Sequence, residues 1–294
     1  VFDADSDTII ANIRIPGGSW GDPFLCDCVI TRDQKLGFVA DFNNDSIWLI
    51  DLTRSPPTLA TGVNPIPLTN SAEDLSLSPD EKFLVAASGW SAEGSPLAVV
   101  DIAGRTQICT FSLGQKTCAN AVEVCPDGSV LVAERTTMTT TQIRRLHLDD
   151  FGNLTDTNEL IADSEAPAVF NLLHVQPGRG KGKHGEVYGI FISLRMTFMI
   201  GSFRVRGMKM LSTQMMANPW SPDGAISPRE NRLFIRENAT RPVNGPGPGS
   251  AIIEEFQFHV GAGRIGKLKS TIALDQISGL YWGLDQLAIH PKGK

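Results

Sequence analysis

Residues 27–52 read DCVITRDQKLGFVADFNNDSIWLIDL, three apolar runs separated by RDQK and FNNDS. Runs this short, rich in Val, Ile and Phe and bounded by Asp, Asn and Gly, read as strands rather than helices. The polar spacers are long enough for tight hairpins, and NND tolerates the left-handed backbone that such turns require. The stretch is therefore a three-stranded antiparallel meander.

The pattern recurs. DLSLSPDEKFLVAASGWSAEGSPLAVVDI runs from Asp74 to Ile102, with Asp80 standing 47 residues after Asp33. NAVEVCPDGSVLVAERTTMTTTQIRRLHL begins at Asn120, NLLHVQPGRGKGKHGEVYGIFIS at Asn171, and DGAISPRENRLFIRENATRPVNGPGPGSAIIEEFQF at Asp223. DQLAIHPKGK, from Asp285, opens a sixth. One meander cannot bury both its faces, whereas a ring of meanders buries each against its neighbours. Repeats of 40–50 residues with about four strands each are the mark of a β-propeller. The fold expected is all-β: one propeller domain over 1–294, with six blades of four-stranded antiparallel sheets, or seven if sequence has been lost. Val1–Ser6 and Asp7–Ile15 read as the third and fourth strands of a blade, and Leu287–Pro291 as a first strand. Joining them closes the ring and removes open edges. The missing second strand implies a chain truncated at one or both ends.

The N-terminal repeat, with its "ID" strand, Pro/Gly loop and hairpin, resembles the YVTN-type propeller family over residues 1–148 and more loosely beyond. That resemblance implies architecture and says almost nothing of chemistry.

Composition agrees and excludes some functions. The chain is 41% hydrophobic and 20% charged, with 28 Gly and 18 Pro, as many short strands and turns demand. A net charge of −6 without a basic stripe argues against nucleic acid. No apolar run approaches the length that spans a bilayer. Cys109 and Cys118 flank FSLGQKT, a place for a disulfide, with buried free thiols as the alternative. The expected location is extracellular or periplasmic.

In a propeller, the loops entering the first strands face the mouth of the central channel. Aligning the repeats on Pro79, Pro126, Pro177, Pro228 and Pro291 puts Asp27, Asp74 and Asp223 in one register, with Glu73, Asn120, Asn171 and Asp285 one residue earlier. Facing carboxylates repel unless a cation or solvent neutralises them, and such oxygens suit Ca²⁺. The alternative is a solvated polar lining. NAVEVCPDG from Asn120 and PDGAIS from Pro222 are similar to motifs of the calcium-dependent gluconolactonase/regucalcin-like six-bladed propellers. That resemblance implies Ca²⁺ held by Asp27, Asn120, Asn171 and Asp223, with Glu73 as the alternative acid, and a lactone- or ester-hydrolysing reaction. His174 and His290 fall on first strands, where a base could reach a channel ligand, although a satisfied core histidine is the commoner role.

Trp20, Trp90, Trp220 and Trp282 lie in loops on the same rim, and Trp48 lies in a strand. Flat apolar rings with one donor suit sugars or partner side chains, and packing between loop and blade would use them equally well. The leading expectation is an extracytoplasmic binding module that takes a partner protein, a carbohydrate or a small molecule at the channel mouth through these tryptophans and Asp74. The alternative is a Ca²⁺-dependent lactonase or esterase.

Overall fold

A computed structural model describes residues 2–3, 8–17, 22–89, 94, 96–114, 117–135, 141–162, 164, 169–176, 186–193, 199–216, 223–227, 231–238 and 251–274. The described chain contains strands and turns and no α-helix. Two short strands, β1 (Phe2–Asp3) and β2 (Thr8–Ile9), pair with each other. Five antiparallel sheets follow in chain order.

The first holds β3 (Leu25–Ile30), β4 (Leu36–Asp41), β5 (Ser46–Asp51), β6 (Thr58–Leu59) and β7 (Ile66–Pro67), the last two sharing the outer position beside β5. The second holds β8 (Asp74–Leu77), β9 (Phe83–Ala87), β10 (Leu97–Asp101) and β11 (Thr106–Phe111). Next come β12 (Cys118–Val124), β13 (Ser129–Arg135), β14 (Thr141–Leu148) and β15 (Leu154–Ile161). The fourth comprises β16 (Val169–Val175), β17 (Tyr188–Ser193), β18 (Met199–Arg204) and β19 (Lys209–Met215). The fifth comprises β20 (Asp223–Ser227), β21 (Arg232–Asn238), β22 (Ala251–His259) and β23 (Arg264–Leu274). Apart from β7, which pairs with β5, the strands of each sheet lie side by side in chain order. The first strands expected near 27, 74, 121, 171 and 224 are β3, β8, β12, β16 and β20; the sixth, near 286–290, lies outside the described residues, as does its pairing with residues 1–15.

The chain divides into two compact units, residues 1–137 with 146–156, and residues 138–145 with 157–294. In the first, Phe38, Leu49 and Ile66 pack with Leu75, Leu84 and Val100 between the first two sheets. Val85, Val99, Val122, Val132 and Leu146 form a second cluster in the same unit. In the second unit, Ile190, Ile200, Leu233, Phe256 and Phe258 form the core. Middle strands bury both faces, as in β9 and β17, so they read as unbroken apolar runs. The outer strand β11 alternates exposed and half-buried positions.

One turn is built the same way three times. Thr31, Ser78 and Cys125 close it by accepting an N–H three residues on, at 2.8, 2.9 and 3.0 Å. Asp33, Asp80 and Asp127 accept the N–H of the residue two further on, at 3.1, 3.2 and 3.1 Å. Gln34, Glu81 and Gly128 sit between them with φ of 58°, 58° and 79°. Asx geometry with a left-handed residue explains why this position is polar or glycine.

The disulfide expected between Cys109 and Cys118 is not formed: all five cysteines are free. Cys109, on the outer strand β11, turns its thiol to the Thr110 carbonyl, whereas Cys118 is buried at the start of β12 against the Arg135 carbonyl.

Candidate functional site

A first strand is a sheet edge: alternate N–H groups point away from the only partner strand and need acceptors. In the first unit the aligned aspartates supply them. Asp27 Oδ2 accepts the Leu75 N–H of β8 at 2.8 Å, and its Oδ1 accepts the Cys28 N–H at 2.7 Å. Asp74 Oδ2 accepts the Val122 N–H of β12 at 2.6 Å. Two residues on, Ser76 Oγ accepts the Val124 N–H at 2.9 Å and donates to Glu123 Oε2 at 3.2 Å. Each side-chain acceptor thus serves the strand 48 residues later. The shared register found in the sequence marks stitches between consecutive sheets.

This arrangement crowds like charges. Burial, and then the neighbouring Asp27 carboxylate, pushes Asp74 well above the usual carboxylate range; Glu123 and Glu73 add to the rise and the Val122 N–H opposes it. Glu73 is also raised, by burial, against the lowering effects of the Gly89 N–H and the Arg135 charge.

Glu73 and Arg135 together form a clamp. Glu73 Oε2 accepts the Gly89 N–H at 2.7 Å, and Arg135 Nη2 donates to the Gly89 carbonyl at 2.8 Å. A Cβ at position 89 would collide with the Glu73 carboxylate, so glycine is required for this close approach. Gly89 is the residue before Trp90. Sequence reasoning named Glu73 only as a spare metal ligand and missed Arg135; the glycine ahead of an aromatic loop was the available signal.

Asn120 lies half-buried on β12, and Asn171 and His174 half-buried on β16. Asp223 opens β20. Asp27 and Asn120 belong to the first unit, Asn171, His174 and Asp223 to the second. Trp20, Trp90, Trp220, Trp282 and His290 lie outside the described residues. Among the described residues, no group of three or more His, Cys, Asp or Glu is placed to hold a metal ion. Trp48 is buried and donates its indole N–H to Asp41 Oδ2 at 3.1 Å. The buried Asp41 carboxylate also accepts the Asn44 amide and the Phe24 N–H, at 2.9 and 3.2 Å, so it anchors the β4–β5 hairpin.

Five antiparallel meanders in chain order, the first three joined edge to edge by side-chain stitches, define a class, and comparison with solved structures agrees. A functionally unknown protein from Desulfotomaculum acetoxidans matches with a TM-score of 0.65 at 17% identity, covering 84% of this chain and 69% of that one. A putative 6-phosphogluconolactonase from Bacteroides fragilis matches at 0.64 and 15%, covering 91% and 74%. The Cps50 (Swd1) β-propeller domain of Myceliophteria thermophila matches at 0.57 and 11%, covering 90% and 74%. The fold is an all-β propeller, its sheets consistent with about six blades. No protein-family model matches the chain, and neither does any curated protein. No described helix is long and apolar enough to cross a membrane.

Proposed function

We propose that the chain is a binding module that takes a partner protein or a glycan on the rim where the first strands begin, through Trp20, Trp90, Trp220, Trp282 and Asp74. The observation that carries this reading is the clamp on Gly89. Two charged side chains hold the N–H and the carbonyl of Gly89, in the two peptide units that flank its α-carbon, directly before a tryptophan. Fixing the base of a loop lowers the entropy lost when its aromatic side chain meets a ligand. An extracellular or periplasmic setting belongs to the same proposal.

The test is the exposure of the rim tryptophans. Trp48 is 7% exposed, so acrylamide should quench the greater part of the intact chain's indole emission and spare one component. If nearly all emission stays shielded, the tryptophans are packing residues and the reading fails.

A second reading, a Ca²⁺-dependent lactone or ester hydrolase, is favoured by the carboxylates around Asp74 and by likeness to a putative 6-phosphogluconolactonase. Asp27, Asn120, Asn171 and Asp223 would hold the ion, which would supply Lewis-acid polarisation of a carbonyl. Both Asp27 oxygens already accept backbone N–H groups, a task that a ligand to metal would have to share. Binding to the native state alone stabilises it, by about 2.7 kcal/mol at a hundredfold excess over Kd, and so raises the melting temperature. A melting temperature unmoved by millimolar Ca²⁺ removes this reading and leaves the binding module standing.

A further inference from the structure

At the other end of β8 and β12, the repeated turns enclose a groove of about 380 Å³ within the first unit. Phe83, Pro126 and Leu148 provide its apolar lining. Asp80, Asp127, Asp149 and Asp150 also line it, with His147 the one basic side chain among the lining residues. Just past it stands Phe151, 81% exposed, beside Gly152, whose α-carbon packs close to Phe83 and Ile108. An aromatic ring this exposed, on a turn next to an apolar-lined groove, gains by being covered.

We propose that this groove docks a linear basic segment of a partner protein, with an apolar side chain against Phe83, Leu148 and Phe151 and flanking Lys or Arg side chains against the aspartates. Its size selects the occupant: it stands at the small end of the ~300–1,000 Å³ range of ligand pockets, so it admits a few side chains and no folded surface. Its charge selects the sign. Asp149 is held below the usual carboxylate range by the Asn153 side chain and by the backbone N–H groups of Asn153 and Phe151, so it is ionised at neutral pH. The Lys82 ammonium already pairs with Asp80 at 3.0 Å on the edge of the groove, the kind of contact a ligand's basic side chain would make. Such complementarity acts mainly on specificity and encounter rate and weakens with salt.

The experiment titrates fluorescein-labelled acetyl-KLKRLK-amide with the intact chain by anisotropy at low salt, beside the acidic counterpart acetyl-ELEDLE-amide. Saturable binding of the basic peptide alone is expected at sub-millimolar protein. Asp127→Asn and Asp150→Asn should each weaken it about two- to fivefold, the range of one exposed charge pair, and Phe151→Ala should weaken it further. Asp22→Asn removes one exposed charge elsewhere in the same unit and should leave binding unchanged. No binding overturns the proposal. Equal weakening by Asp22→Asn also overturns it, because attraction would then follow net charge rather than the groove. Tryptophan accessibility at the opposite rim does not enter this result, so the two proposals fail separately.

Discussion

Asp74 is the residue on which stitching and charge conflict. It accepts the Val122 N–H while Asp27, Glu123 and Glu73 face it, with Arg135 acting on Glu73. Its native carboxyl titrates above its unfolded one. Between those two values the native state holds a proton that the unfolded chain has released, so stability falls as pH rises through that window. Asn in its place keeps an acceptor for the Val122 N–H and removes the charge. Asp74→Asn should therefore be more stable at pH 7, with melting rising about 2–4 °C per kcal/mol gained, and should lose this part of the pH slope above pH 4. Denaturation curves from pH 4 to 8 decide it: a variant less stable at pH 7 means that the ionised form was needed. The 47-residue spacing from Asp33 to Asp80 revealed that Asp27 and Asp74 share a level. It could not reveal which atoms they meet, because a register along a strand carries no information about direction across the gap to the next sheet.

Among the elements, β17 and β18 carry a reciprocal packing device. Gly189 opposes Phe203 and Gly201 opposes Phe191, and the two rings lie 6.4 Å apart between their centroids. A Cβ at either glycine would enter the facing ring. Both phenylalanines are fully buried, so neither ring can swing out to solvent. Gly201→Ala should cost about 1–3 kcal/mol, the usual range for overpacking a core, read as a shift in the denaturation midpoint with unchanged slope. Pairing Gly201→Ala with Phe191→Leu should return part of that loss; a purely additive double variant would refute the contact. The first of these strands was legible in the apolar run YGIFIS. Their glycines were not, since a lone glycine inside a strand signals close approach without saying to what. The hairpin turns were the most legible part, because Asp with a left-handed neighbour is a local device whose signature lies within five residues.

At the scale of the whole molecule, the stitches from a side-chain acceptor to a first-strand N–H in the first unit run one way. The first sheet contributes acceptors, the second contributes donors to it and acceptors to the third. A surface that offers what its neighbour needs, rather than its own mirror image, has no internal stop. Cutting the backbone between residues 69 and 73 would leave one fragment ending in an unmet Asp27 carboxylate and another beginning with an unmet Leu75 N–H, each bordered by half of the Phe38, Leu49, Leu75 and Leu84 cluster. The nicked pieces should stay together through gel filtration. Mixed separately, they should reassemble, and Asp27→Ala should slow or prevent it. A copy that lost its second sheet would leave the Asp27 carboxylate of the first and the Val122 N–H of the third unmet, two complementary ends, and copies would then recruit one another into chains: the joint that orders these sheets also turns the molecule into a monomer for polymerisation once that repeat is missing.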